Sequence, residues 1–177
     1  MSLRVLMFHG KEGSPTGGKA THVRDCFGEA FVSVPNYQPA HEPVELALPR
    51  CVRLALSEVH RFQPDVLVGS SFGGAVLLTL LQDHGVRVPS IILAGAGGLY
   101  GLPAALPEML PVIVAHGVHD TIVDLSHSQA LAASSASARL VELDDGHRLG
   151  CTTDSPTGTS LLEQWINELS TPQSFAP

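Results

Sequence analysis

With 177 residues, 44% of them hydrophobic and only 15% charged, the chain can bury one real core and scarcely a second, so a single domain over 1–177 is expected. The net charge of −7 argues against nucleic acid and anionic membrane as partners, because both require a basic surface. Cys26, Cys51 and Cys151 are far apart and form no C-x-x-C pair, which argues against a disulfide framework or zinc site and fits free thiols in a reducing compartment.

In chain order, "LRVLMF" (3–8) opens as a strand. It is too short for the apolar region of a signal peptide and no basic region precedes it, so a cytoplasmic protein is expected. A helix is expected over 18–28, a strand over 31–34 ("FVSV") and a helix over 44–62, which Pro49 should kink or delay. The strand "DVLVG" (65–69) runs into a helix over 72–84. Strands follow at 90–95 ("SIILAG") and 111–117 ("PVIVAHG"). The connection between these two is rich in Gly, Ala and Pro. The stretch between Arg87 and Glu108 carries no charge, but Pro89, Pro103 and Pro107 punctuate it, which argues against a continuous membrane helix. A helix over 125–135, a strand over 138–143 ("ARLVEL") and a helix over 157–169 complete the pattern, and the tail "STPQSFAP" reads as frayed. The strands look like continuous apolar runs, the mark of a parallel sheet covered on both faces. The expectation is a doubly wound α/β fold with a six-stranded, mostly parallel sheet in the order 2-1-3-4-5-6 and no lid domain.

The segment "GSSFG" reads as G-x-S-x-G centred on Ser71, with Gly69 and Gly73 at the flanks. Ser70 cannot be the centre, because Val68 and Phe72 would then occupy the small positions. A nucleophile on a tight strand-to-helix turn has strained backbone angles, and side chains two residues either side would collide. A Gly-Ser turn with a capping serine is the bland alternative, so the partners decide. "HGVHDTIVD" puts Asp120 in a loop after the fifth strand, and "LDDGHRLG" puts His147 in a loop after the sixth. Parallel sheets gather such loops at one edge, where an imidazole can take the serine proton and a carboxylate can orient the imidazole. Asp124 competes with Asp120, whereas Asp144 and Asp145 stand too close to His147 to orient it. Among the other histidines, His22, His41, His60, His84 and His127 fall in helices or early loops, and His119 shares a loop with Asp120. A tetrahedral intermediate also needs backbone N–H donors, worth roughly 3 kcal/mol each. Phe72 should supply one from the helix start. Lys11 should supply the other from "FHGKEGSP", where Gly10 turns the chain sharply and His9 packs to shape the loop.

Four motifs in this order resemble the α/β-hydrolase superfamily over nearly the whole chain: "HG" after the first strand, G-x-S-x-G after the third, "HGVHDTIV" after the fifth and "DDGH" after the sixth. "HGKEGSPTGGKA" is similar to the small lidless bacterial esterases. The resemblance implies hydrolysis of a small acyl ester or thioester through an acyl-enzyme, with Ser71, His147 and Asp120 as the triad and neither cofactor nor metal. Two positions depart from the family: Asp124 stands where proline is frequent, and Ser70 where histidine is frequent. A rival comes from "GSPTGGKA" (13–20), which nearly spells a phosphate-binding loop. Against it, Ala20 occupies the magnesium-ligand position and Pro15 lacks an N–H. An inactive binding module on the same fold is the third reading.

Overall fold

Each apolar run becomes one strand, and the order of the strands reverses once. The computed structural model describes residues 3–39, 42–156 and 158–171. Strands β1 (Val5–Phe8), β2 (Val32–Ser33), β3 (Val66–Ser70), β4 (Ser90–Leu93), β5 (Val112–Gly117) and β6 (Ala138–Leu143) form a sheet in the order β2-β1-β3-β4-β5-β6, with every neighbouring pair parallel. This is the expected order. Helices α1 (Gly18–Phe27), α2 (Val44–Phe62), α3 (Phe72–Asp83), α4 (Leu125–Ala133) and α5 (Leu161–Ser170) make the crossovers. The chain winds one way from β1 to β2 and the other way from β3 onward. The carboxyl ends of β1 and β3 therefore flank the point where the order turns, the usual place for a site in an open sheet.

Burial explains the helix faces. Leu6, Phe8, Leu67, Ile92 and Val114 point to the side covered by α2, α3 and α4. Val5, Met7, Val68, Ile91 and Ile113 point to the side covered by α1 and α5, where Trp165 and Ile166 pack. Helix α3 is buried almost all round, from Phe72 to Leu81, because it lies over the centre of the sheet.

Several expectations need correction. Five of the six strands differ from their expected bounds, β2 shrinking to two residues because Phe31 belongs to a 3₁₀ turn (Glu29–Phe31). The apolar reading fails at β6, an edge strand that is nowhere fully buried. Helix α4 stops at Ala133 because the Ser134 hydroxyl turns back on the Leu131 carbonyl at 2.6 Å. Helix α5 starts after Ser160, whose Oγ accepts the Glu163 N–H at 3.1 Å. Thr157, His41 and the end of the tail lie outside the described residues. Pro49 does not delay α2, which runs from Val44 through it. It removes one bond in the second turn, while the stripe Ala47, Cys51, Val52, Ala55, Val59 and Phe62 secures the helix against the sheet.

Pro49 is exposed and its ring contributes little to the core. Pro49→Ala restores an N–H that can donate to the Glu45 carbonyl, so the unfolding free energy measured in urea should rise by about 1–3 kcal/mol, with a higher midpoint. A lower midpoint would show that the proline ring is needed where it stands.

Candidate active site

The turn after β3 sets the geometry. Ser71 sits at φ 53°, ψ −115°, outside the regions an ordinary residue favours, and α3 begins at the next residue. The flanking glycines are required by contact. A Cβ on Gly69 would lie 2.6 Å from the Gly73 carbonyl oxygen, and one on Gly73 would lie 2.0 Å from the Phe8 carbonyl oxygen. Gly10 is different. It has no positive φ, and a Cβ there would meet Ser71 Cβ at 3.5 Å, an ordinary contact. The expected sharp turn at Gly10 is instead closed by the Gly13 N–H donating to the Gly10 carbonyl at 3.0 Å.

Three loops converge on Ser71. His147 Nε2 is 2.9 Å from Ser71 Oγ, and His147 Nδ1 is 2.7 Å from Asp120 Oδ2. A carboxylate can only accept, so Nδ1 carries the hydrogen and Nε2 is left to receive the serine proton. The His147 side chain is 18% exposed and that of Asp120 only 1%. Burial alone would raise the Asp120 pKa, but the Val123 N–H (3.0 Å), the His147 ring and the Ile122 N–H (2.8 Å) outweigh it and hold the carboxyl below its ordinary value.

The rivals have other partners. Asp124 caps α4 by accepting the Ser126 N–H at 2.8 Å. Asp144 faces His119 at 2.7 Å on the exposed rim. Asp145 accepts the N–H groups of Gly146 (2.7 Å) and Cys151 (2.9 Å), closing the loop that carries His147. His22 bonds Ser160 Oγ at 2.7 Å, far from this edge in the sequence and on the α1–α5 face. His9 is buried, stacks on Tyr37 at 4.3 Å and bonds the Gly10 carbonyl at 2.8 Å, while the Tyr37 hydroxyl donates to the His9 carbonyl at 2.5 Å.

The backbone N–H groups of Lys11 and Phe72 have no acceptor among the described residues. Phe72 opens α3, so its N–H has no partner within the helix either. Its ring is buried between Tyr37 and Tyr100, at centroid distances of 6.2 and 5.8 Å. Two residues escape a reading of the sequence alone. His116, at the end of β5, is fully buried with Nε2 3.2 Å from Asp120 Oδ2; its only local signal is that it is the first histidine of "HGVHD", four residues before Asp120. Lys19 reads as a phosphate-loop lysine, yet its ammonium donates to the Arg148 carbonyl beside His147. The Gly17 N–H is also taken, by the Ser14 carbonyl at 3.0 Å. The lysine and one glycine N–H of the would-be phosphate loop are thus committed elsewhere.

All three cysteines are free, and burial is the first cause that pushes the Cys26 and Cys151 thiols up to about 11. Among the described residues no group of His, Cys, Asp and Glu side chains is arranged to hold a metal ion, and no helix is long and apolar enough to cross a membrane.

Solved structures give the fold its name. A Xanthomonas campestris pv. campestris protein described under the α/β superfamily of hydrolases matches with a TM-score of 0.77 at 22% identity, over 96% of this chain and 98% of that one. Est1E from Butyrivibrio proteoclasticus, in a structure with ferulic acid bound, matches at 0.66 and 16%, over 94% and 87%. An alpha-beta serine hydrolase homologue from Coxiella burnetii matches at 0.61 and 16%, over 96% and 82%. No family model and no curated protein matches the chain by sequence. At these identities the likeness is one of fold: the chain has the α/β-hydrolase fold that its motifs imply.

Two tests follow from these contacts. Gly73→Ala should prevent folding or destabilise by more than about 4 kcal/mol, since the clash is with backbone, whereas Gly10→Ala should stay near wild type. Equal stabilities in urea would refute the packing argument. For pH, a carboxyl whose folded pKa is depressed adds stability above its unfolded value and loses it as pH falls through the folded one. The stability advantage of the wild type over Asp120→Asn should therefore be full above the ordinary 3.8 and shrink below it. An advantage that grows with acidity would contradict the sign.

Proposed function

We propose that the protein is a serine hydrolase that cleaves small acyl esters or thioesters through an acyl-enzyme. One observation carries this: Ser71, His147 and Asp120 lie in hydrogen-bonding order. In the proposed reaction Ser71 Oγ attacks the acyl carbonyl as its proton passes to His147 Nε2. The Asp120 carboxylate stabilises the imidazolium. The carbonyl oxygen, now negative, accepts from Lys11 and Phe72, whose N–H groups have no acceptor among the described residues. Collapse breaks the bond to the leaving oxygen or sulfur, which takes the proton from His147. Water then repeats the sequence on the acyl-serine, with His147 as base, and frees the acid.

The surroundings support a small substrate. The connection after β4 packs down on the domain instead of rising over the site: Gln82 Nε2 donates to the Pro103 and Ala105 carbonyls, each at 2.8 Å, and Leu106 is buried. The groove beside Lys11 has a volume of about 570 Å³ and is lined by Ser14, Thr16, Asn36 and Gln38 among others. Gly13 and Pro15 also line it, and none of the residues around it is a long aliphatic or aromatic side chain against which a long alkyl chain could be buried. The nucleotide reading has no comparable support, because Lys19 is engaged with Arg148.

Ser71→Ala should abolish labelling by a fluorophosphonate probe and leave the circular dichroism spectrum unchanged; labelling that persists would remove Ser71 from the role. With p-nitrophenyl esters, kcat/KM should rise across the shortest acyl chains, by up to about fourfold per methylene, and then level off. A continued rise from butyrate to palmitate would mean a deep acyl tunnel and reject the open site.

A further inference from the structure

Asp120 is a buried anion with no lysine or arginine paired to it among the described residues. Four nitrogens take that place. Ile122 and Val123 N–H donate to Oδ1, His147 Nδ1 donates to Oδ2, and His116 Nε2 stands 3.2 Å from the same Oδ2. His116 reaches the carboxylate from β5, below the loop. Its Nε2 also lies 3.1 Å from the Val123 carbonyl, and its Nδ1 lies 2.7 Å from Ser128 Oγ on α4. Both oxygens near Nε2 can only accept, so that nitrogen carries a hydrogen. In the neutral ring the Ser128 hydroxyl then donates to Nδ1, which pins the tautomer. A chain of five side chains results: Ser128, His116, Asp120, His147 and Ser71.

We infer that His116 is a positioning residue for the acid of the site, acting on it in two ways; the inference rests on the triad reading proposed above. First, it secures Val123, whose N–H holds Asp120 Oδ1, so the loop cannot turn the carboxylate away from His147. Second, its N–H draws charge from Oδ2. Oδ2 then pulls less strongly on the His147 Nδ1 hydrogen, so losing the His116 N–H should alter how activity depends on pH. His116 touches neither substrate nor the reacting oxygen. Other charges near this network are accounted for: Asp124, at the start of α4, caps that helix; Glu142, the register partner of His116 on β6, is exposed and bonded to Gln129; His119 pairs with Asp144 on the rim; Asp145 and Lys19 hold the far side of the His147 loop. None of them takes the place of an N–H beside Oδ2.

The test compares His116→Met, which keeps bulk without a donor, with His116→Gln, whose amide N–H can stand where Nε2–H does. Rates with p-nitrophenyl acetate are normalised to sites titrated by a fluorophosphonate. His116→Met should lower kcat about tenfold with KM unchanged within about twofold, and move the acid limb of kcat/KM up by about half a pH unit. His116→Gln should return the limb to its wild-type position and recover most of kcat. A residue that merely fills the core would lower the number of titratable sites and leave the limb in place. An unmoved limb in His116→Met, or a glutamine variant as impaired as the methionine one, overturns the inference. Should His116→Met fail to fold, Ser128→Ala releases the tautomer and should shift the limb upward by a smaller amount, and no shift overturns the inference.

A second readout needs no turnover. Imidazole nitrogen NMR of the wild type should show His116 with hydrogen on Nε2, and the His147 Nδ1 proton should move downfield in Ser128→Ala. Hydrogen on His116 Nδ1 alone, or an unmoved proton, overturns the inference. A wild type that is neither labelled nor active defeats the hydrolase reading instead, and these resonances still report whether His116 acts on Asp120.

Discussion

The site depends on how closely α3 approaches the end of β1. Gly73 lies so near the Phe8 carbonyl that no side chain could stand between them. That contact puts the first turn of α3 against the end of β1 and the start of the loop that leaves it, at Phe8 and His9. It also leaves the preceding residue no relaxed conformation, which is why Ser71 holds φ 53°. The strain at one residue is sustained by the burial of many. Helix α3 is apolar on nearly every side and cannot shift without exposing its core contacts.

A second constraint is electrostatic. Carboxylates are rarely buried without a cation, and Asp120 is held by backbone and imidazole N–H groups instead. Such an arrangement is rigid because each donor is itself fixed. Ile122 and Val123 belong to the loop, His116 to β5 and His147 to a loop closed by Asp145 and tethered by Lys19. The carboxylate is thereby oriented by elements that meet only in the folded chain. The lysine of the apparent phosphate loop finds its use here, as a tether across 129 residues.

The third feature is what covers the site. Where this fold can carry a lid, the connection from Gly95 to Pro111 instead folds onto α3 and α4, with Gln82 bonding two of its carbonyls and the Leu106 N–H donating to Ser134 Oγ at 2.9 Å. Tyr100 turns its edge to Phe72, so the wall of the site and the core are continuous. The same packing that makes the domain small keeps the edge of the sheet open.

Sequence by itself determined the alternation of strand and helix, the order of the sheet and the centre of the G-x-S-x-G turn. These are legible because periodicity and short-range sterics act between residues a few positions apart, as Gly69, Ser71 and Gly73 do. Strand ends were less legible, since Phe31 and Gly95 are apolar or small in a strand and in a turn alike. The motif already favoured Asp120 as the partner of His147, and the folded chain brings the two together. Asp120 and Asp124 share one loop and one chemistry, and they are separated only by where α4 begins and which of them caps it. Only the tertiary structure decided that His116 faces Asp120, that Lys19 turns to Arg148 and that Gly10 needs no special backbone angle. The pairs that build the site mostly join residues far apart, 27 positions for His147 and Asp120, 76 for His147 and Ser71 and 129 for Lys19 and Arg148, and no local pattern records such a distance. His116 and Asp120 stand only four apart, but a strand end and the loop after it bring them together.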